Sequence, residues 1–149
     1  MGEQNVISRL AEAFPSLDVS EAAVSPRRIF LYAPGEIFLD ALRFACDELG
    51  FTHLCTITGL DTGEGYEFIY HVSDQNGVML NLKLKTAGGD GVVIQSVLPI
   101  YNGAVFYERE LEGLLGVKVE GLTEGRQYPL PDNWPEGQYP MRKEWRIEN

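Results

Sequence analysis

The chain has 149 residues, a length that suits a single domain. Hydrophobic residues make up 44% of it and charged residues 23%, as in ordinary globular proteins, which excludes disorder as its main state. The 12 Lys and Arg residues against 22 Asp and Glu residues give a net charge of −10, which disfavours binding to nucleic acid or directly to anionic lipid.

The sequence carries no signal for export or for a membrane span. Its first residues lack the basic start and apolar core of a signal peptide, and no apolar run approaches the ~18 residues of a transmembrane helix. The two cysteines, Cys46 and Cys55, form no CxxC pair and are typical of free thiols in a reducing compartment. We therefore predict a cytoplasmic chain that reaches a membrane only through its partners.

The first third of the chain alternates helical and extended patterns. Apolar residues at helical spacing predict a first helix over 3–14. Residues 19–33 are extended, with a buried strand over 29–32. A second helix with a broad apolar stripe begins after Pro34, and Gly50 is placed to end it.

The middle of the chain is predicted to be a β-sheet. One strand covers 53–59, and period-two alternation continues over 66–72 and 78–85 on either side of an Asp-Gln-Asn-Gly turn. Alternation around an Asn-Gly turn is typical of a β-hairpin. The second hairpin strand has one apolar and one polar face, as expected for a sheet covered on one side only. A further strand is predicted over 92–98.

A third helix is predicted over 102–115, followed by a short strand over 117–119. Its apolar stripe consists of Ala104, Tyr107, Leu111, Leu114 and Leu115, and its charges are Glu108, Arg109, Glu110 and Glu112, on a solvated or interface face. The element order predicts an α+β two-layer sandwich, with a mixed, mostly antiparallel sheet and helices on one face.

The composition changes after the predicted α+β domain at 1–120. Residues 121–149 contain four of the eight prolines and both tryptophans, so they can form no regular helix and are too aromatic for a flexible linker. Arg142, Lys143 and Arg146 surround Trp145 in this otherwise acidic chain, a combination typical of interface hot spots. We predict an extended, Pro- and Trp-rich C-terminal arm over 121–149 that docks on a partner.

Motifs for catalysis or cofactor binding are missing from the sequence. The two histidines, His53 and His71, have no neighbouring ligand at metal-site spacing, and no phosphate-binding glycine loop or nucleophile elbow occurs. Glu108 and Glu112 stand at i,i+4, a spacing that fits a solvated or interface face better than an acid–base pair. The sequence predicts no catalytic residue, no metal and no cofactor, and it leaves open whether the chain is part of an enzyme.

The third helix resembles a known family. Its sequence Tyr-Glu-Arg-Glu (107–110) followed by Leu-Leu-Gly-Val (114–117) is similar to the signature helix of the 30 kDa subunit of respiratory complex I, the NADH-quinone oxidoreductase. The resemblance spans about residues 50–146, and its C-terminal part is most similar to subunits of group 4 membrane-bound nickel–iron hydrogenases. Further matching segments are 70–72, 95–97, Ala104, Arg126, 130–132, 134–137 and 139–144. The departures from the family pattern are Glu112, Gly113, Leu115, Leu122 and Thr123.

The resemblance implies a structural subunit that carries no cofactor and performs no chemistry of its own. Such a subunit packs against the large catalytic subunit, which holds the quinone site or the nickel–iron centre, beside iron–sulfur subunits on the inner face of the cell membrane. The resemblance leaves open whether the parent complex is an NADH dehydrogenase or a hydrogenase. The residues expected at the interface are Glu108, Arg109, Glu110, Arg126, Trp134, Arg142, Lys143 and Trp145.

Two other classes of function remain compatible with the residues. The first is a stand-alone domain that borrowed the fold to bind a small ligand on the concave side of its sheet. The second is a free-standing enzyme that uses Glu108, Glu112 and a histidine, which requires these side chains to converge in one pocket.

Overall fold

The computed structural model describes residues 1–147. In this part of the chain, the α-helices are α1 (Glu3–Ala13), α2 (Gly35–Asp47) and α3 (Val105–Leu115), the last preceded by a 3-10 turn at Asn102–Ala104. The strands are β1 (Ala23–Ser25), β2 (Arg28–Tyr32), β3 (His53–Asp61), β4 (Tyr66–Ser73), β5 (Met79–Thr86), β6 (Val93–Gln95) and β7 (Lys118–Glu120). The predicted α+β class and the order of elements are confirmed.

The strands form two sheets, where the sequence predicted one. The main sheet has the order β1-β2-β5-β4-β3, with β2 and β5 parallel and the other neighbours antiparallel. The strands β6 and β7 form a separate parallel pair. Since parallel neighbours need a crossover connection, α3 lies between β6 and β7 in the chain. The prediction of a mixed, mostly antiparallel sheet holds for the main sheet only.

The helices α2 and α3 pack on the same face of the main sheet. Phe38 of α2 contacts Tyr70 of β4, with ring centres 4.9 Å apart. A Cβ atom at Gly59 of β3 would meet the side chains of Leu111 and Leu115 of α3 at 2.5 and 2.8 Å, so α3 lies directly on this strand. The helix α1 packs on α2 through the edge-to-face pair Phe14 and Phe44.

Alternation along the hairpin places the core on the helix-covered face. The apolar residues of β4 and β5 on this face are almost fully buried, and they are Tyr66, Phe68, Tyr70, Val72, Leu80, Leu82 and Leu84. The opposite face carries the polar residues of the same strands. Two of these, Glu67 and Asn81, are nonetheless buried, against the expectation of a solvated face.

The predicted strand over 92–98 is shorter in the structure. It ends at Gln95 because the backbone N–H of Val97 donates to the carboxylate of Glu108 rather than to a neighbouring strand. The chain then turns, with the N–H groups of Ile100 and Tyr101 both donating to the carbonyl oxygen of Val97. This turn leads directly into α3.

Residues 121–147, here called the C-terminal segment, contain no helix or strand. Their last part hydrogen-bonds back to the preceding domain, so the described residues do not form an arm that extends away from it. Glu148 and Asn149, the end of the predicted arm, lie outside the described residues. No helix within residues 1–147 has the length and apolar character needed to cross a membrane.

Candidate functional site

The predicted interface residues fall on α3 and the C-terminal segment, but they do not form one exposed surface. Glu108 is fully buried, Arg142 is mostly buried against the domain, and Arg126 is exposed. The others are half-buried or exposed: Arg109, Glu110, Trp134, Lys143 and Trp145.

Glu108 joins α3 to the turn after β6, and it does not lie on the solvated or interface face that the sequence predicted. One carboxylate oxygen accepts the hydroxyl proton of Ser96 at 2.7 Å, and the other accepts the N–H of Val97 at 2.6 Å. Burial raises the pKa of Glu108 above its ordinary value, and the charge of Glu112 adds to the rise, while these two hydrogen bonds oppose it. Glu108 therefore acts inside the domain and is unavailable to a partner.

Two departures from the family pattern have a structural explanation. The carboxylate of Glu112 accepts the N–H of Val119 at 3.0 Å, which ties the last turn of α3 to β7. A Cβ atom at Gly113 would lie 3.1 Å from the carbonyl oxygen of Tyr128. The glycine thus permits the C-terminal segment to pack closely on α3, where a larger residue would press against its backbone.

Arg142 holds the C-terminal segment on the end of α3. Its side chain is only 9% exposed, and it donates to the carbonyl oxygen of Leu115 at 2.7 Å and to Asp90 at 2.7 Å. Helices end with unpaired carbonyl groups, so the guanidinium satisfies one that α3 leaves open. It also lies 4.4 Å from the ring centre of Tyr139.

Gly116 makes this arrangement sterically possible. It ends α3 in a left-handed conformation with a φ of 75°. A Cβ atom there would lie 2.5 Å from the ring of Tyr139 and 2.6 Å from the guanidinium of Arg142. Glycine is therefore required both by the backbone conformation and by the packing of the C-terminal segment.

A second anchor fixes the neighbouring residue. The backbone N–H of Lys143 donates to the carboxylate of Asp61 at the end of β3, at 2.9 Å. This bond and the one from the N–H of Gly63 hold the pKa of Asp61 below its ordinary value. The nearby backbone N–H of Met141 donates to the carbonyl oxygen of Leu114 at 3.0 Å.

The two tryptophans are brought together although they are separated in the chain. Their ring centres lie 6.0 Å apart, and both indole N–H groups donate to Gln138, that of Trp134 to its backbone oxygen and that of Trp145 to its side-chain oxygen. Both residues are half-buried. The pair therefore orders the C-terminal segment internally and leaves part of each side chain at the surface.

Sequence reasoning missed the most exposed aromatic pair. Phe106 of α3 is 62% exposed and Tyr128 is 43% exposed, and their ring centres lie 5.3 Å apart. Of the large apolar side chains exposed within residues 1–147, Met141 and Ile147 also belong to the C-terminal segment. The signal in the sequence was an apolar Phe106 that falls outside the predicted core stripe of α3.

A cleft of about 650 Å³ lies between α3, β7 and the C-terminal segment. Arg109, Lys118 and Trp134 are among its lining residues, beside Glu112 and Glu124. Basic and acidic side chains therefore both line the cleft.

Arg126, which also lines this cleft, pairs with Asp132 at 2.6 Å. Both side chains are well exposed, at 80% and 63%. Water screens such a pair, so this salt bridge contributes little to stability, and the predicted interface residue Arg126 stays at the surface.

The residues of the hypothetical enzyme do not converge. Glu108 and Glu112 are occupied by backbone groups on the helix-covered side of the sheet. His71 lies on the other face, where it hydrogen-bonds to Thr58 at 2.9 Å and Asn81 at 2.6 Å. Across residues 1–147, no group of three or more His, Cys, Asp or Glu side chains is placed to hold a metal ion.

Comparison with known protein families assigns the chain. Residues 31–149 match the family model of the respiratory-chain NADH dehydrogenase 30 Kd subunit. The chain belongs to this family.

Individual relatives cover nearly the whole chain. The C subunit of the F(420)H(2) dehydrogenase of Methanosarcina mazei is 32% identical in an alignment of 149 positions that covers 97% of this chain and 92% of the relative. The C subunit of the NADH-quinone oxidoreductase of Agrobacterium fabrum is 31% identical in an alignment of 142 positions that covers 91% of this chain and 68% of the relative. A similar fold occurs in the structure of the membrane-bound sulfane sulfur reductase, an archaeal respiratory membrane complex. One of its chains superposes on the present protein with a TM-score of 0.83 at 26% sequence identity. The superposition covers 97% of the present protein and 85% of the reductase chain.

Proposed function

We propose that this chain is a structural subunit, without a cofactor of its own, in the peripheral arm of a complex I-like dehydrogenase or a group 4 hydrogenase. Its direct partner is the large catalytic subunit, beside iron–sulfur subunits of the same complex. In this proposal the chain lies in the cytoplasm, on the inner face of the cell membrane. Membership of the 30 kDa subunit family is the observation that carries the proposal.

In this proposal the two parts of the chain, divided at the predicted boundary after residue 120, have different roles. Residues 1–120 are the scaffold, and residues 121–149 provide the docking region together with the outer side of α3. Supporting this assignment, exposed large apolar side chains recur in this region, at Phe106, Tyr128, Met141 and Ile147. Exposed aromatic residues beside arginines are typical of interface hot spots.

The geometry changes the role assigned to two of the predicted interface residues. The Glu108 and Arg142 side chains are engaged within the chain, so these residues position the docking region and make no direct contact with the partner. Lys143 is anchored through its backbone, and its exposed side chain stays available to the partner. Trp134 and Trp145 contribute the exposed parts of their side chains.

The direct contacts are expected from the exposed Phe106–Tyr128 pair. Arg109, Glu110 and Arg126 form the charged margin of this surface. Such a margin excludes water from the aromatic centre of an interface and adds to specificity more than to affinity.

A pull-down from detergent-solubilised membranes of the native host tests the proposal. The tagged chain is expected to recover a large subunit of the quinone-site or nickel–iron type with its iron–sulfur partners, identified by mass spectrometry. The Phe106→Ala/Tyr128→Ala double variant should reduce this recovery at least tenfold, because removing a hot spot costs about 2 kcal/mol or more. The matched control Val24→Ala/Val93→Ala, which removes exposed apolar side chains elsewhere, should leave it unchanged. A chain recovered alone would overturn the proposal.

The cleft beside α3 favours one alternative, a stand-alone domain that binds a small ligand. Its volume of about 650 Å³ falls in the range of about 300–1,000 Å³ that is usual for ligand pockets. A thermal-shift screen of metabolites on the purified chain distinguishes the two functions. A hit that Arg109→Ala abolishes, combined with an empty pull-down, would favour the alternative.

A further inference from the structure

The main sheet has a second face that no helix within residues 1–147 covers. We call it the open face. Along β2, β4 and β5, side chains on this face alternate with side chains of the core. On β2 they are Phe30 and Tyr32, which lie next to the polar residues of the hairpin. Ile69, near its centre, is half-buried and gives it a partly apolar floor.

The strands of the open face have the opposite charge balance from the whole chain. Along β2, β4 and β5 it carries three basic residues, Arg28, Lys83 and Lys85, and one acidic residue, Glu67. The chain as a whole has 12 basic and 22 acidic residues. Near the margin of the face, Glu21 adds an acidic group whose charge acts on Tyr32, and Glu64 lines a shallow depression together with Glu67 and Lys85. The strands of the open face are therefore locally basic on an acidic protein.

The single acidic residue of these strands is neutralised within the face. Glu67 lies 3.6 Å from the Lys83 ammonium group and accepts the hydroxyl proton of Tyr32 at 3.1 Å. The Lys83 and Glu67 side chains are only 19% and 12% exposed. Their charges largely cancel, so the pair adds little to the electrostatic potential at the surface of the open face.

The two remaining cations are presented to the outside. Arg28 and Lys85 are exposed, and neither forms a salt bridge within residues 1–147. The Lys85 ammonium group lies 3.9 Å from the ring centre of Tyr32, which holds it over a rigid strand. A pre-positioned charge loses little conformational entropy when it pairs with an incoming group.

We propose that the open face docks an acidic segment of another protein subunit, whose carboxylates pair with Lys85 and Arg28. Charge complementarity selects this occupant, since like charges would repel and a neutral surface would leave both cations unpaired. Nucleic acid is disfavoured, because lysine ammonium groups lie over the rings of Phe30 and Tyr32 and occupy the faces on which bases would stack. The identity of the partner as a subunit of the same complex rests on the proposed function.

In-cell photo-crosslinking followed by purification tests this surface. A photo-reactive amino acid replaces Thr58, an exposed residue of β3 on the open face, in the full chain in its native host. The expected product is a covalent adduct with an acid-rich segment of another subunit, mapped by mass spectrometry. Lys85→Glu and Arg28→Glu should each reduce the adduct yield at least fivefold, and added salt should reduce it as well. The matched control Arg43→Glu, on the helix side, should leave it unchanged.

The outcomes separate this inference from the proposed function. If the complex co-purifies but Thr58 forms no adduct, the open face is solvated and the inference is wrong while the proposed function stands. An adduct with RNA, with a second copy of the chain or with a segment lacking an acidic excess also overturns it. If the chain purifies alone but carries an adduct with an acidic segment, the proposed function fails and the inference stands. Melting temperatures of the charge variants confirm that they are folded.

Discussion

The two parts of this chain are ordered by different forces. Residues 1–120 have a continuous apolar core that runs from Val6 to Val119. From residue 123 onward, no described residue contributes to that core, and the C-terminal segment is held by individual hydrogen bonds such as those of Arg142 and Lys143. Apolar burial is distributed over many residues, whereas a few polar anchors can be lost one at a time. The C-terminal segment is therefore the part that can rearrange without unfolding the domain.

The largest expected effect comes from a polar contact inside the domain. Glu108→Ala leaves the buried N–H of Val97 and the hydroxyl group of Ser96 without their acceptor. Buried unsatisfied groups cost about 1–3 kcal/mol each, so we expect the free energy of unfolding to fall by roughly 3 kcal/mol in urea denaturation. Glu110→Ala, two residues along the same helix, should change it by less than about 0.5 kcal/mol. Equal losses of unfolding free energy in both variants would show that the hydrogen bonds of Glu108 to Ser96 and Val97 do not stabilise the domain.

Loss of a C-terminal anchor should act locally. Arg142→Ala removes the bonds to Leu115 and Asp90, and we expect proteolytic cleavage within the C-terminal segment to accelerate roughly tenfold, equivalent to about 1.4 kcal/mol. The unfolding midpoint of the domain should barely change. Arg146→Ala is the matched control, because the Arg146 side chain donates to carbonyl oxygens of its own segment. A drop in domain stability as large as that of Glu108→Ala would mean that the two parts form one cooperative unit.

Gly116 lies at the junction of the two parts and tests their coupling. Gly116→Ala forces a side chain into a left-handed conformation and against Tyr139, and we expect a loss of about 1 kcal/mol in stability together with faster cleavage of the C-terminal segment. Gly103→Ala, where no atom lies within 4 Å of the added Cβ, should have neither effect. Loss of stability without faster cleavage would place the strain in α3 alone.

The smallest effects are expected from pH, and they have opposite signs for the stability of the domain and for the attachment of the C-terminal segment. Because burial raises the pKa of Glu108, its contribution to stability is complete below the ordinary carboxyl pKa and is lost as pH rises through the raised pKa. The pKa of Asp61 is lowered, so its contribution is present above its ordinary value and is lost as pH falls through the lowered pKa. Urea denaturation reports the first effect, and cleavage of the C-terminal segment reports the second.

Two variants isolate these pH effects. Glu108→Gln should remove the decline in domain stability with rising pH, and Asp61→Asn should make protection of the C-terminal segment independent of pH in the acid range. If each variant changes the other readout instead, Glu108 does not stabilise the domain and Asp61 does not anchor the C-terminal segment.

Local patterns in the sequence were sufficient for most of the domain. The period-two alternation over 66–72 and 78–85 predicted the hairpin and its buried face, because side chains of a strand alternate between two environments. The burial of Glu108 could also have been read from the sequence. It stands four residues after Ala104 and three before Leu111, which places it in the core stripe of α3 despite its charge.

Strand partners and the path of the C-terminal segment were decided by the tertiary structure. Periodicity gives the face of a strand but not its neighbour, so the separate pairing of β6 with β7 was not predictable from 92–98 and 117–119. Nor does the sequence near Arg142 indicate that its guanidinium binds Asp90, a residue far away in the chain.

The sequence by itself determined the class of fold, the helices, the hairpin and the family, since each of these depends on patterns of residues close together in the chain. Only the tertiary structure showed that Arg142 is a positioning residue and that Tyr128 is exposed beside Phe106. Whether a polar or aromatic side chain is buried depends on what packs over it, and those neighbours come from distant parts of the chain.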